Sequence, residues 1–314
     1  MQKVTIKKTD LTVSALCMGG CPLGGYGWGD IQRNDLINAV KTAVDSGINF
    51  FDTADTYGLG ESERILAEAL GAGSKNVIVT TKFGVRVENG KTTYDNSREY
   101  IFKAIEGSLK RLNRDYIDLY QVHYRDGVTP LEDVAETLEK LKQQGKIRYY
   151  GLSNIHEKDA TDLQAFGDNN PFVSFQDEYS LACRKNEEEM FRFRDAYGMT
   201  PLTWGSLGQG ILSGKYDKNC KFETNDRRSR EIYVNFHGEK LLKNLEIVEV
   251  LKEIAAECGK SVASVAIRWI LDYMQGAVAL VGAKSPKQVL QNAEALDWVL
   301  TKEQIERLEN ISKR

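Results

Sequence analysis

The chain has little cysteine, proline or histidine: 5, 5 and 3 residues of 314. Cys17, Cys21, Cys183, Cys220 and Cys258 form an odd, scattered set with no C-x-x-C pair, which favours reduced thiols over a disulfide framework. Three histidines argue against a metal site, and so few prolines argue against a Pro-rich linker. No apolar run approaches the roughly 18 residues that span a bilayer. The opening Met1-Gln2-Lys3-Val4-Thr5 has no apolar core of signal-peptide type, so the default address is the cytoplasm. An excess of one charge is also missing. The net charge of -3 comes from 42 basic and 45 acidic residues spread along the chain, which predicts neither a nucleic-acid nor a membrane partner and leaves small molecules. The densest basic cluster, Arg227, Arg228 and Arg230, is flanked by Asp226 and Glu231 and reads as a solvated loop, with an anion site as the alternative. Nothing in the sequence fixes an oligomeric state.

What is present is a regular alternation. After a hairpin (Val4–Ile6 with Leu11–Val13, turning at Lys8-Thr9-Asp10), β-branched and aromatic runs recur at Leu16–Met18, Asn49–Thr53, Val77–Lys82, Ile117–His123, Ile147–Ser153, Phe172–Gln176, Pro201–Trp204 and Ala277–Val281. Amphipathic segments lie between them: Leu36–Val44, Ile65–Leu70, Ile101–Leu112, Val134–Leu141, Met190–Ala196 and Ser261–Met274. Eight strands alternating with helices predict an α/β fold of (β/α)₈ barrel type, one domain across residues 1–314, with an N-terminal β-hairpin and an extra C-terminal helix near Thr301–Ile311. The competing open sheet would carry G-x-G-x-x-G after an early strand, and that spacing occurs nowhere. The glycine-dense stretch Gly19–Gly29 reads as an irregular loop at the barrel mouth. A long excursion from Gly205 to about Lys240 is expected to cover a ligand.

Barrel active sites lie at the C-terminal ends of the strands. There the sequence puts Asp52 with Tyr57 just beyond, then Lys82, His123, Ser153-Asn154, Gln176 and Trp204. A lysine closing the apolar run VIVTTK needs a counter-charge, which predicts an Asp52–Lys82 ion pair. A tyrosine, with its ordinary pKa of about 10, is a poor acid at neutral pH. A neighbouring Lys82 would favour its phenolate, and His123 would orient a substrate oxygen. Proton donor, tuner and orienting group together suit carbonyl reduction.

These residues sit in FDTADTYGLGESE, VIVTTKFG, IDLYQVH, YYGLSN, WGSLGQGILSGKY and LVGAKSPKQVLQN, which resemble the motifs of the aldo-keto reductase family over nearly the whole chain. The resemblance is close to the branch that includes the potassium-channel β-subunits. It implies that Asp52, Tyr57, Lys82 and His123 form a catalytic tetrad that reduces an aldehyde or ketone with hydride from a nicotinamide, Tyr57 giving the proton. It implies that Ser153, Asn154 and Gln176 hold the carboxamide and Trp204 stacks on the nicotinamide. It implies that Ser206–Lys215 (Ser206, Leu207, Gly208, Gly210, Leu212, Gly214 and Lys215 among them) drapes over the pyrophosphate, a task suited to backbone N–H groups. Gly20 and Gly282 join the cofactor set, and Lys284, Gln288, Gln291 and Asn292 match the segment that holds the adenosine 2′-phosphate.

Two departures stand out. Gln288 and Gln291 replace an arginine and an acid found in many members, so NADPH is the expected cofactor with NADH as an alternative; Lys284 and Lys287 keep cationic charge near a helix start. After the histidine, Tyr124-Arg125-Asp126-Gly127 replaces the commoner continuations. Tyr26, Trp28, Tyr124 and Arg125 are the candidates for lining the substrate pocket, and their character suits a hydroxylated or anionic substrate such as a sugar derivative. Two other readings compete. One is a cofactor-bound accessory subunit like the channel β-subunits; the other is a Schiff-base aldolase using Lys82, which Asp52 opposes by keeping the ammonium charged.

Overall fold

The computed structural model describes every residue except His156 and Arg314, with the backbone alone described at residues 157–160 and 168. In chain order its elements begin with the strands β1 (Lys3–Thr5), β2 (Thr12–Ser14) and β3 (Leu16–Gly19), then α1 (Arg33–Asp45), β4 (Phe50–Asp52), α2 (Glu61–Leu70), β5 (Ile78–Phe83), β6 (Val85–Glu88), β7 (Lys91–Tyr94), α3 (Arg98–Leu112) and β8 (Ile117–Val122). There follow α4 (Leu131–Gln143), β9 (Ile147–Ser153), α5 (Glu157–Phe166), β10 (Ser174–Glu178), α6 (Glu187–Ala196), β11 (Thr200–Trp204), α7 (Gly238–Cys258), α8 (Val262–Tyr273), β12 (Val278–Gly282), α9 (Pro286–Ala293) and α10 (Lys302–Ser312). Strands β3, β4, β5, β8, β9, β10, β11 and β12 pair in parallel and close into a barrel, so the expected (β/α)₈ architecture is present, with the N-terminal hairpin β1–β2 and the C-terminal helix α10.

Local chemistry sets the element ends. Ser97, Ser261 and Thr301 cap α3, α8 and α10, each hydroxyl accepting a backbone N–H of the first turn, and Thr301 with Gln304 completes a reciprocal capping box. The period-2 alternation of the strands then sorts side chains. Phe175 and Tyr120 point out into the layer beneath the helices, while Cys17, Phe50, Leu119, Leu202, Val278 and Leu280 point inward. The inward set continues into Ile6, Leu11 and Val13, so the hairpin plugs the N-terminal end of the barrel. Towards the other end the inward positions become polar: Asp52, Lys82, Ser153 and Gln176, all but buried.

β9 has the expected limits, Ile147–Ser153, and the other strands differ by one or two residues; the sixth, expected at Phe172–Gln176, runs Ser174–Glu178. Helices α5, α7 and α9 lie outside the segments named from the sequence, and so does the antiparallel hairpin β6–β7 directly after Lys82-Phe83-Gly84. Its turn is Asn89-Gly90, both with positive φ (52° and 74°), the residue pair that such two-residue turns favour. It stands at the C-terminal face, beside the segment after His123. Among the described residues no helix is long and apolar enough to cross a membrane.

Candidate active site

The tetrad residues come from three consecutive barrel strands and one loop. Lys82 is fully buried, and its ammonium donates to both oxygens of Asp52 at 2.7 Å and to the Thr53 carbonyl at 2.9 Å. The expected ion pair is there. The Gln176 amide donates to Asp52 Oδ2 at 2.9 Å, so the carboxylate is held from two sides of the barrel. Tyr57 brings its hydroxyl within 3.4 Å of Lys82 Nζ, and its ring meets the His123 ring edge-on at 5.7 Å between centroids. Phenol, ammonium and imidazole therefore converge.

The electrostatics differ from the simple expectation that Lys82 lowers the phenol. Burial, and after it the Asp52 carboxylate, push the Tyr57 hydroxyl well above its ordinary value. Lys82 does not reverse this, since its ammonium is already matched by the Asp52 carboxylate and the Thr53 carbonyl at shorter distances than the Tyr57 hydroxyl. The proton thus stays on Tyr57 at neutral pH. His123 moves the other way: burial, then the Lys82 charge, hold its imidazole well below the usual range, so the ring is neutral. Its Nδ1 is sealed from solvent with no hydrogen-bond partner among the described residues.

Around this group stand the expected cofactor residues. Asn154 has a positive φ of 53°; its backbone N–H donates to the Gln176 carbonyl at 2.8 Å and its amide to the His123 carbonyl at 2.9 Å. The Trp204 indole N–H donates to Asn154 Oδ1 at 3.1 Å, which ties the two together. Ser153 and Gln176 pair across β9 and β10, and Ser153 accepts from the Asn154 amide. Gly20 lies against the Asp52 carbonyl, to which its N–H donates at 2.6 Å. Gly282 ends β12 exposed, leaving bare backbone at the mouth.

Residues 205–240 form the strap. Gly208 and Gly210 have positive φ and start it; Lys215 is exposed, whereas Ser206 spends its hydroxyl on the Thr203 and Leu280 carbonyls and the Leu212 side chain lies wholly in the core. Only the Leu212 backbone remains to face a ligand. The strap then crosses to the first loop: Asp226 forms a β-bridge with Trp28, the Arg227 N–H donates to the Gly27 carbonyl at 3.0 Å, and Asn225 reaches Asp30 at 2.8 Å. The solvated loop expected for the arginine cluster is therefore incorrect for Arg228. Arg228 is 7% exposed, its guanidinium paired to Asp226 at 2.5 Å and surrounded by the rings of Trp28, Tyr216, Phe222 and Phe236. Of the two flanking acids, Asp226 is an internal partner of the cluster.

Positive charge gathers under this crossing. Arg227, Lys284 and Arg228 lie 5.1, 5.5 and 5.7 Å from the centre of the Trp28 ring, and Lys284 donates to the Trp28 carbonyl. Burial, then Arg228, bring the Lys284 ammonium down to about 8. Gln288 accepts from the Lys284 N–H at 2.8 Å, the Gln291 carbonyl accepts from Ser261, and Asn292 is buried beside Leu16, Val281 and Val289. An under-compensated cationic group beside bare backbone fits a phosphate-bearing cofactor.

Of the substrate candidates, Tyr124 stacks on His123 at 5.1 Å and continues to Tyr94 of the β6–β7 hairpin at 5.5 Å. Tyr94 was missed, and the Asn89-Gly90 turn was the signal that could have found it. Tyr26 is exposed at the rim and Trp28 is half-buried under the strap. Arg125 follows in the same segment, its guanidinium meeting Asp162 of α5 at 3.2 Å and the Thr129 carbonyl of its own loop at 2.9 Å.

Comparison with known proteins decides the family. The aldo/keto reductase family model matches residues 15–313. The chain belongs to that family. It is accordingly an NAD(P)H-dependent oxidoreductase acting on carbonyl and alcohol groups. It is 35% identical to aldo-keto reductase YhdN of Bacillus subtilis over 306 residues, covering 96% of this chain and 91% of that one. It is 32% identical to a probable voltage-gated potassium channel subunit beta of Oryza sativa subsp. japonica over 324 residues, 99% of this chain and 96% of the other, which agrees with the branch read from the motifs. Among solved structures, the glycerol dehydrogenase AKR11B4 from Gluconobacter oxydans superposes with a TM-score of 0.88 at 31% identity, covering 98% and 94% of the two chains.

Proposed function

We propose that this aldo-keto reductase reduces a neutral aldehyde or ketone to the alcohol, with NADPH as its preferred cofactor and Tyr57 as the proton donor. The observation that carries the reading is the meeting of a protonated phenol, a buried ammonium and a neutral imidazole at one point of the barrel mouth. When bound, the nicotinamide supplies the hydride to the carbonyl carbon. Tyr57 holds a proton on its hydroxyl and releases it to the carbonyl oxygen as charge grows there, with Lys82 3.4 Å away to stabilise the phenolate left behind. Asp52 and Gln176 keep Lys82 in place. His123, neutral, offers a ring N–H to the same oxygen and orients it. Trp204, fixed by Asn154, presents a flat face beside the site, and Ser153, Asn154 and Gln176 supply the amide-complementary groups. Lys284, aided by Arg227 and the strap, answers the phosphates.

With Arg125 engaged by Asp162, an anionic group on the substrate has no evident counter-charge from that residue, and the Tyr124–Tyr94 surface favours an uncharged one. A panel of aldehydes, ketones and sugar derivatives, each assayed with NADPH and NADH, tests the reading. Turnover of neutral carbonyls with NADPH in the wild type and its loss in Tyr57→Phe are expected; wild-type turnover in that variant defeats it.

A further inference from the structure

A second group of ionisable side chains lies behind the tetrad, on the outer side of β5. Lys82 points into the barrel, and its neighbour Thr81 points out and donates to Glu63 Oε1 at 2.7 Å. Glu63 is fully buried in α2, and Arg111 of α3 donates to its other oxygen at 2.5 Å. Room for Arg111 comes from two glycines: a Cβ on Gly60 or Gly107 would stand 2.5 or 2.9 Å from the arginine side chain. Into the same place comes Asp55 from the loop that carries Tyr57. Its backbone N–H donates to the Lys82 carbonyl at 3.3 Å, and its Oδ1 is sealed from solvent with no hydrogen-bond partner among the described residues. The Tyr120 hydroxyl of β8 is also sealed, with no hydrogen-bond partner among the described residues.

The charges around Asp55 are Glu63 from α2, Arg111 from α3 and Lys82 from β5, and the phenols of Tyr100 and Tyr120 face it from α3 and β8. Lys82 is already matched by Asp52. That leaves two carboxyl groups and one guanidinium, an imbalance of one negative charge in a low-dielectric place unless a proton is held. Burial, then the Glu63 carboxylate, push the Asp55 carboxyl up to about 7, against the pull of Arg111 and the Thr56 N–H.

We propose that Asp55 is a positioning residue: protonated, it forms with Glu63 and Arg111 a charge-balanced cluster that holds the Tyr57 loop against the strand bearing Lys82, and ionised, it loosens that hold. The positioning half rests on the role proposed for Tyr57; the held proton does not.

Asp55→Asn, which copies the protonated state, separates the two halves. A carboxyl whose folded pKa is raised from an unfolded value of about 3.9 to about 7 destabilises the fold progressively as pH rises between those values and by a constant amount above them. The unfolding temperature of the variant should therefore rise relative to wild type from about pH 4 to about pH 7, then keep a fixed lead. In carbonyl reduction with NADPH, wild-type kcat should fall severalfold as pH passes through about 7, while Asp55→Asn keeps its low-pH kcat and both bind NADPH equally well. A temperature difference that does not change with pH overturns the held proton. A variant kcat that still falls through about pH 7 as the wild type's does overturns the positioning role, whichever way the unfolding data go. Absence of reductase turnover in wild type counts against the proposed function and the positioning half with it, and the unfolding data still decide the proton. Should the variant not fold, carbon-13 NMR of the wild-type carboxyl decides the same point: titration near 7 supports the cluster, titration below about 5 overturns it.

Discussion

The barrel has a charged cluster near each end, and the two are built differently. At the N-terminal end Asp118 of β8 takes Arg114 at 2.8 Å and the Val79 N–H at 3.0 Å on one oxygen and Arg148 at 3.0 Å on the other, with Arg148 passing on to Asp10 of the hairpin region. Both carboxylate oxygens are engaged, and the plug of Ile6, Leu11 and Val13 closes that end. At the C-terminal end Asp52 and Lys82 are equally well matched to each other, but the groups they hold are not: Tyr57 reaches Lys82 only at 3.4 Å and His123 keeps a sealed Nδ1 without a partner among the described residues. The first cluster finishes a structure, and the second leaves donors aimed at a ligand. Saturation marks the stabilising end of the barrel and incomplete saturation the working end.

The sharpest way to break this contrast is to remove one member from each. Tyr57→Phe should lose about 10²–10⁴-fold in turnover, the usual range for a general acid, with little change in unfolding temperature. Asp118→Ala should do the reverse. Stranding a buried guanidinium costs about 3–5 kcal/mol of stability, seen in chemical denaturation, while the folded fraction keeps its kcat. A large kcat loss in Asp118→Ala would erase the distinction.

A smaller effect belongs to Lys284. Losing a charge-assisted contact to phosphate is worth about 1.5–3 kcal/mol, so Lys284→Met should weaken NADPH binding by roughly ten- to a hundredfold by fluorescence titration. Phosphate favours the ammonium form, and that form is lost as pH rises through about 8. Wild-type affinity should therefore fall across that range and the variant's should stay flat. Smallest of all, Tyr124→Ala removes the ring stacked on His123 and should raise KM for aromatic carbonyls severalfold while sparing small aliphatic ones, an aromatic pair being worth about 0.5–1.5 kcal/mol.

The fold was legible because barrel strands are short apolar runs whose last inward residue turns polar, and Asp52, Lys82, Ser153 and Gln176 show that change in the bare sequence. The Asp52–Lys82 pair followed from charge balance alone. Two features were not read, each because it depends on contacts distant along the chain. Arg228 looks solvated beside Asp226 and Glu231 until Trp28, some two hundred residues away, is brought over it by the strap. The Tyr57 hydroxyl looks lowered by Lys82 until the barrel buries it beside the Asp52 carboxylate, and burial followed by that charge push it the other way. The β6–β7 hairpin is the exception, since Asn89-Gly90 announces it locally.

The most direct test of the account is single-turnover mixing of NADPH-loaded wild type and Tyr57→Phe with a reactive neutral aldehyde, following the loss of reduced cofactor. Equal NADPH affinity in the two proteins, with cofactor oxidation in the variant slowed at least a hundredfold or so, is the expected result. Oxidation at the wild-type rate in Tyr57→Phe would contradict the assignment of the proton donor.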